Sequence, residues 1–114
     1  MSKCILIIDD DAVFRTIVRH SLSHTSVGYD VVEAANAAEG LVKLGEFDID
    51  TILLDYELGE ANGLQLLNAI IALEHHNIPV IMLSANDDDN LMYTCLNRGA
   101  QDYLVKQEVT KNTL

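Results

Sequence analysis

Cys4-Ile5-Leu6-Ile7-Ile8-Asp9-Asp10-Asp11 is an apolar run that stops at three consecutive carboxylates. An unbroken run of this length, rich in isoleucine, reads as a strand buried on both faces, the habit of a parallel sheet. The pattern returns three times. Thr51-Ile52-Leu53-Leu54 stops at Asp55, Val80-Ile81-Met82-Leu83 at Ser84, and Tyr103-Leu104-Val105 at Lys106. In a parallel sheet the strand C-termini share one edge, and the crevice outside that edge is where open α/β sheets bind ligands. Asp9, Asp10, Asp55, Ser84 and Lys106 therefore converge on one crevice. Three carboxylates, a hydroxyl and an ammonium suit a divalent cation and a phosphoryl group.

Helical patterns fill the gaps between these runs. Residues 12–23 carry Val13, Ile17 and Leu22 near helical spacing. Residues 29–33 alternate like an edge-leaning strand, and Asn36 can cap a helix over 37–44 that Gly45 ends. A strand over 50–54 leads to a helix over 64–74, with Leu64, Leu67, Ile70 and Ile71 inward. Pro79 stands at the start of a strand over 78–83, where its missing N–H does little harm. Asn86 or Asp87 opens a fourth helix that runs to about Arg98 and is closed by Gly99, and 102–105 is the fifth strand. The alternation predicts an α/β fold, a doubly wound five-stranded parallel sheet with helices on both faces. Thr110 can cap a last helix, expected to be truncated. A fifth strand needs cover on its outer face, so residues 1–114 are expected to form one domain at the N-terminal end of a longer protein.

Composition narrows the function. A chain of 114 residues is long enough to bury about two-thirds of its unfolded surface in one domain. Its 7 basic and 18 acidic side chains give a formal charge of −11, which repels nucleic acid and anionic lipid surfaces. Cys4 and Cys95 stand far apart and read as reduced packing residues. No apolar stretch approaches the ~20 residues of a membrane span, and Met1-Ser2-Lys3 leaves no room for a signal peptide before the first strand. A soluble, cytoplasmic protein is expected. His20, His24, His75 and His76 read as surface residues and not as metal ligands at a recognisable spacing.

Each polar residue of the crevice has a plainer alternative. Any of Asp9, Asp10 or Asp11 can cap the helix that follows, and Asp11 is the natural one to do so. Adjacent carboxylates at a strand end repel unless a hard cation with oxygen ligands neutralises them. Asp55 could simply open the turn that follows it, but a carboxylate is also a competent nucleophile towards phosphorus, giving an acyl phosphate. Ser84 can donate a hydrogen bond to a phosphoryl oxygen. Lys106 can pair with Asp55 at rest and with the phosphate afterwards. A turn carboxylate predicts no matching groups elsewhere, and they are present.

Over nearly its whole length the chain resembles the receiver domain of two-component response regulators. The resemblance is carried by Ile5-Leu6-Ile7-Ile8-Asp9-Asp10-Asp11, by Leu53-Leu54-Asp55 with Leu58 and Asn62-Gly63, by Ile81-Met82-Leu83-Ser84-Ala85, and by Gly99-Ala100-Gln101-Asp102-Tyr103-Leu104-Val105-Lys106. It implies the flavodoxin-like strand order 2-1-3-4-5. It also implies that Asp55 is the phosphoacceptor, that Asp9, Asp10, Asp55 and the main-chain carbonyl of Glu57 surround Mg²⁺, and that Asp9 does so through water. Ser84 and Lys106 would be the phosphate-contacting pair, and Ser84 and Tyr103 the switch residues. The implied partners are a sensor histidine kinase, a phosphotransfer protein or a small phosphodonor upstream, and an output domain or downstream protein. A homodimer through the face of the fourth helix, fifth strand and last helix is implied as well. Such a domain catalyses its own phosphorylation and dephosphorylation without being a conventional enzyme.

Three positions depart from the family pattern. Gly59 replaces the usual proline four residues after the phosphoacceptor, so a looser loop is expected there. Gln107 replaces the proline that usually follows the lysine through a cis bond. A cis bond before a non-proline residue costs about 2.5–4 kcal/mol, so a trans Lys106–Gln107 bond is expected. Glu57 is either an outward solvated charge or an added carboxylate beside the phosphorylation site, opposite Asn86, where similar domains tune phosphoryl lifetime. Two other functions compete. A degenerate receiver would act only as a protein-binding module. A haloacid-dehalogenase-like phosphatase would need a second Asp two residues after the nucleophile, where this chain has Glu57.

Overall fold

The structure, a computed structural model, describes residues 3–26, 28–59, 61–73 and 77–113. The elements are β1 (Lys3–Ile8), α1 (Ala12–Ser23), β2 (Tyr29–Ala34), α2 (Ala37–Glu46), β3 (Thr51–Asp55), β4 (Glu57–Leu58), β5 (Ala61–Asn62), α3 (Gly63–Ile71), β6 (Val80–Ser84), α4 (Asp89–Asn97), β7 (Asp102–Val105) and α5 (Lys106–Thr113). Five of the strands form a parallel sheet in the order β2-β1-β3-β6-β7, and β4 and β5 are a separate two-residue ladder. Counting sheet strands alone, the order is 2-1-3-4-5, as the resemblance implies.

Alternation along the strands divides the core into two layers, because successive side chains point to opposite faces. Leu6 and Ile8 of β1, Ile52 and Leu54 of β3, and Val80 and Met82 of β6 pack in one cluster with Leu66, Leu67 and Ile70 of α3 and Cys95 of α4. Ile7, Leu53 and Leu83 point the other way and meet Phe14, Val18 and Leu22 of α1 and Val109 of α5. Both faces of the sheet are covered, so its central strands are apolar without interruption.

Register places the polar strand ends in a staircase. Ile8 pairs with Leu54, so Asp9 and Asp55 stand side by side one step further on. Asp55 pairs with Leu83, and Ser84 with Val105, so Ser84 and Lys106 each follow by one step.

Several helix details differ from the sequence reading. Val13 is 68% exposed, and Phe14 and Val18 form the buried stripe of α1. On α3 the buried residues are Leu66, Leu67 and Ile70, while Ile71 is 42% exposed. Gly45 lies inside α2, which ends against Phe47, and Asp88 rather than Asn86 or Asp87 caps α4. Thr110 lies inside the last helix and does not open it: α5 starts at Lys106 directly after β7, and the Thr110 hydroxyl donates to the carbonyls of Lys106 and Gln107. The Asp11 and Asn36 caps and the left-handed Gly99 (φ 108°) are as expected. The predicted end of the third helix at Glu74, together with His75 and His76, lies outside the described residues.

Candidate phosphoryl and metal site

Asp9 (0% exposed) and Asp55 (1%) are among the few buried charged groups. One carboxylate oxygen each from Asp9, Asp10 and Asp55 lies within 4.8 Å of the others. Asp10 is exposed, so the cluster has one open side. Asp9 Oδ1 accepts from the Asp11 main-chain N–H (2.9 Å), and Asp55 Oδ1 from that of Glu57 (3.1 Å). The other two oxygens face one ammonium: Lys106 Nζ is 2.8 Å from Asp9 Oδ2 and 3.3 Å from Asp55 Oδ2. The same ammonium lies over the Phe14 ring, 4.7 Å from its centroid. Asp9 Oδ2 is fully buried and accepts no hydrogen bond of good geometry, so the ion pair with Lys106 is its sole satisfaction among the described residues.

The electrostatics follow from this crowding. Burial first, then repulsion from Asp9, pushes the Asp55 carboxyl up to about 8, against the pull of Lys106. Burial alone would lower Lys106, but its bonds and charge contacts with Asp9 and Asp55 outweigh this and raise it. Three carboxylates against one ammonium leave the pocket short of positive charge. Oxygen donors of this kind, gathered on one side of an unsatisfied buried oxygen, fit a hard divalent cation.

The neighbouring half of the site is hydrogen-bonded throughout. The Glu57 side chain turns in, and its Oε1 accepts from the Ser84 hydroxyl (3.1 Å) and from Asn86 Nδ2 (3.3 Å). Ser84 Oγ in turn accepts from the Asn86 N–H (3.1 Å), and the Tyr103 hydroxyl donates to the Asn86 carbonyl (2.6 Å). Glu57 is thus not the outward solvated charge of one reading, and its carboxylate is separate from the Asp9–Asp10–Asp55 cluster. Burial raises the Tyr103 phenol.

The β3–α3 loop is built to hold Asp55. Gly59 has φ 69°, a conformation closed to the family's proline, and it turns β4 back onto β5. The loop expected to be looser is therefore tied by a short antiparallel ladder. At Gly63 a Cβ would lie 2.2 Å from the Asp55 carbonyl oxygen, so only glycine allows α3 to begin there. The Lys106–Gln107 bond is trans, as the sequence led us to expect.

Two contributors escaped the sequence reading. Arg15 Nη1 donates to the Asp9 carbonyl (2.5 Å), while its Nε pairs with Glu33 (3.0 Å), which Arg19 also meets. Phe14 supplies the ring beneath Lys106. Their signal was only helical phase: once Asp11 is the cap, Phe14 and Arg15 fall on the first turn beside the crevice.

Comparison with known proteins identifies the family and the fold. The family model for the response regulator receiver domain matches residues 5–114. The chain is 31% identical over 107 residues to the chemotaxis protein CheY of Thermotoga maritima, covering 93% of this chain and 87% of that one. It is 36% identical over 113 residues to the two-component response regulator-like APRR7 of Arabidopsis thaliana, covering 96% of this chain and 15% of the relative. The chain thus spans only about a seventh of the length of the first such relatives. Among solved structures, a CheY-like receiver domain protein from Methanospirillum hungatei superposes with a TM-score of 0.81 at 27% identity, covering 98% and 90% of the two chains. A response regulator from Burkholderia pseudomallei, solved with a phosphorylated aspartic acid and a calcium ion, gives 0.81 at 28% identity, covering 97% and 64%. A sheet of this order, with an acidic cluster and a lysine at its C-terminal edge, defines a doubly wound α/β domain with a polar crevice at its strand ends. The chain belongs to the response regulator receiver domain family of two-component signalling. No described helix is long and apolar enough to cross a membrane.

Proposed function

We propose that this domain accepts a phosphoryl group on Asp55 in a Mg²⁺-dependent reaction and thereby switches a downstream output. The reading rests above all on Asp55, a carboxyl pushed up to about 8 by burial and then by Asp9, and facing one lysine. It needs further positive charge to become a full nucleophile. Asp9, Asp10, Asp55 and the main-chain carbonyl of Glu57 are the groups that would hold Mg²⁺, Asp9 through water. A bound Mg²⁺ offsets the carboxylates and the incoming phosphoryl oxygens. The calcium ion and the phosphorylated aspartate of the Burkholderia relative support both assignments.

An Asp55 oxygen attacks phosphorus; the new O–P bond forms as the donor's P–N bond (phosphohistidine) or P–O bond (acyl phosphate) breaks and the donor keeps the electron pair. Lys106 is already within reach of Asp55 and can turn its ammonium to a phosphoryl oxygen. Ser84 exchanges Glu57 for phosphoryl oxygen as its acceptor, and the change passes through Asn86 to Tyr103 along bonds present at rest. Hydrolysis of the acyl phosphate resets the domain.

A sensor histidine kinase or phosphotransfer protein is the proposed donor, and an output domain or partner protein the proposed receiver of the signal, in the cytoplasm. The face of α4, β7 and α5, with Met92, Leu96 and Leu104 exposed, is the proposed contact for output or a second copy. Incubation with acetyl phosphate, with and without Mg²⁺, followed by intact mass measurement tests the reading. A Mg²⁺-dependent adduct of one phosphoryl group, lost in Asp55→Asn, is expected. Continuous turnover without adduct would indicate a phosphatase, and no reaction a binding module.

A further inference from the structure

His20 and His24 are four residues apart at the end of α1, and both are exposed. They are surface residues, as the sequence reading had them, and as residues i and i+4 they share one helix face. Their rings meet edge to face with centroids 4.5 Å apart, and the two Nε2 atoms are 3.1 Å from each other. We infer that His20 and His24 form a two-imidazole binding site for a divalent transition ion such as Cu²⁺ or Zn²⁺, separate from the acidic pocket.

The geometry carries this beyond a mere histidine pair. Imidazole nitrogens bind such ions at ~2.0–2.1 Å. Two nitrogens 3.1 Å apart then subtend roughly 100° at the ion, between the ~90° of square-planar and the ~109° of tetrahedral coordination. In the metal-free pair one ring donates its Nε2 proton to the other. In the bound form each neutral imidazole keeps its proton on Nδ1 and offers the Nε2 lone pair.

The backbone beneath the pair is pinned in place. The His24 N–H donates to the Ser21 carbonyl, the Ser23 hydroxyl to the His20 carbonyl, and the Thr25 hydroxyl to the Leu22 carbonyl. Both ligands therefore sit on an ordered last turn, which lowers the cost of bringing them together. The site is also remote from Mg²⁺ chemistry. Asp11 caps α1 beside the acidic cluster, and the helical rise places His20 roughly 14 Å and His24 roughly 20 Å further along the axis. Nitrogen ligands prefer Cu²⁺, Ni²⁺ and Zn²⁺ over Mg²⁺ and Ca²⁺, so the two sites differ in selectivity as well as place.

The test titrates the protein with CuCl₂ and, separately, ZnCl₂ in excess Mg²⁺, by calorimetry, with the imidazole resonances followed by NMR. One ion per chain is expected. Sub-stoichiometric Cu²⁺ should broaden the His20 and His24 ring signals first. His20→Gln and His24→Gln should each weaken binding about tenfold or more, while the His75→Gln/His76→Gln double variant leaves it unchanged. Both positions are exposed and Gln is a good helix former, so circular dichroism should confirm intact variants. Unchanged affinity in both single variants, or first broadening at any other residue, would overturn the site.

Discussion

The acidic pocket and the Ser84 pocket share one sheet edge and are built on opposite terms. Around Asp9, Asp10 and Asp55 the charges do not balance: among the described residues one buried oxygen has only Lys106, and Asp55 is pushed up to about 8. Around Ser84 the polar groups that face one another are joined by four hydrogen bonds through Glu57, Asn86 and Tyr103. The first pocket is destabilised until a cation arrives to join Lys106. The second is content at rest and must give up a bond to respond. A signalling switch needs both properties, since a cation must find a charge deficit on one side and the phosphoryl oxygens must displace a resting partner on the other.

The largest expected effect breaks the acidic side outright. Asp55→Asn should abolish labelling by acetyl phosphate and, without Mg²⁺, should stabilise the fold. The sign follows from the raised carboxyl: ionising Asp55 is easy in the unfolded chain, near 3.8, and hard in the native one, near 8. Wild-type stability therefore falls as pH climbs from about 4 to about 8, and the Asn variant escapes that fall. Its midpoint advantage should be near zero at pH 4 and about 5 °C or more at pH 8, on the scale of roughly 4–8 °C per kcal/mol for small domains. Equal midpoints at pH 8 in metal-free buffer would remove the electrostatic deficit from the account.

Adding Mg²⁺ is the next step down. An ion that binds only the native state should raise the thermal midpoint in proportion to the logarithm of its concentration, and Asp10→Ala should erase most of the rise. Asp10 is the exposed member of the cluster, so its removal costs little in packing. A wild-type melting curve indifferent to millimolar Mg²⁺ would count against a cation site.

How much of this was visible in the chain depends on what kind of signal each feature left. Strand ends were legible because an apolar run that stops at Asp9, Asp55, Ser84 or Lys106 leaves a sharp boundary, and the sheet edge then assembles them. Helix faces were less so. Val13 and Ile71 are apolar and near the right period, yet both are exposed; the phase of a short amphipathic helix shifts with its cap, and the caps at Asp11 and Asn62 set it. The direction of the Glu57 side chain left no trace, since a rotamer choice rests on partners 27 and 29 residues away. Arg15 and Phe14 were hidden for the same reason. The His20–His24 spacing was in the sequence, but only the ring positions gave it meaning.

Glu57→Gln sharpens the other side of the comparison. The amide still offers an oxygen to Ser84 but no longer a charge, so the resting bond weakens and repulsion of the phosphoryl group is removed. Labelling with acetyl phosphate should quicken by about three- to tenfold, equivalent to roughly 0.7–1.4 kcal/mol in the barrier. Slower labelling would mean that Glu57 assists the reaction and does not compete with it.

The smallest effect belongs to Tyr103→Phe. The change keeps the ring, which is buried against the sheet, and deletes the hydroxyl that donates to the Asn86 carbonyl at 2.6 Å. One intramolecular hydrogen bond contributes about 0.5–1.5 kcal/mol, so a midpoint drop of a few degrees is expected with the extent of labelling unchanged. More informative is the double variant with Glu57→Gln. Asn86 joins the two residues, donating its amide to Glu57 and accepting from Tyr103. If the Ser84 pocket acts as one unit, loosening Asn86 from either side should make the second loss cheaper, giving a coupling of about 0.5 kcal/mol or more. Strict additivity would mean that Asn86 is held by its backbone alone, and that displacing Glu57 from Ser84 does not reach Tyr103 by this route.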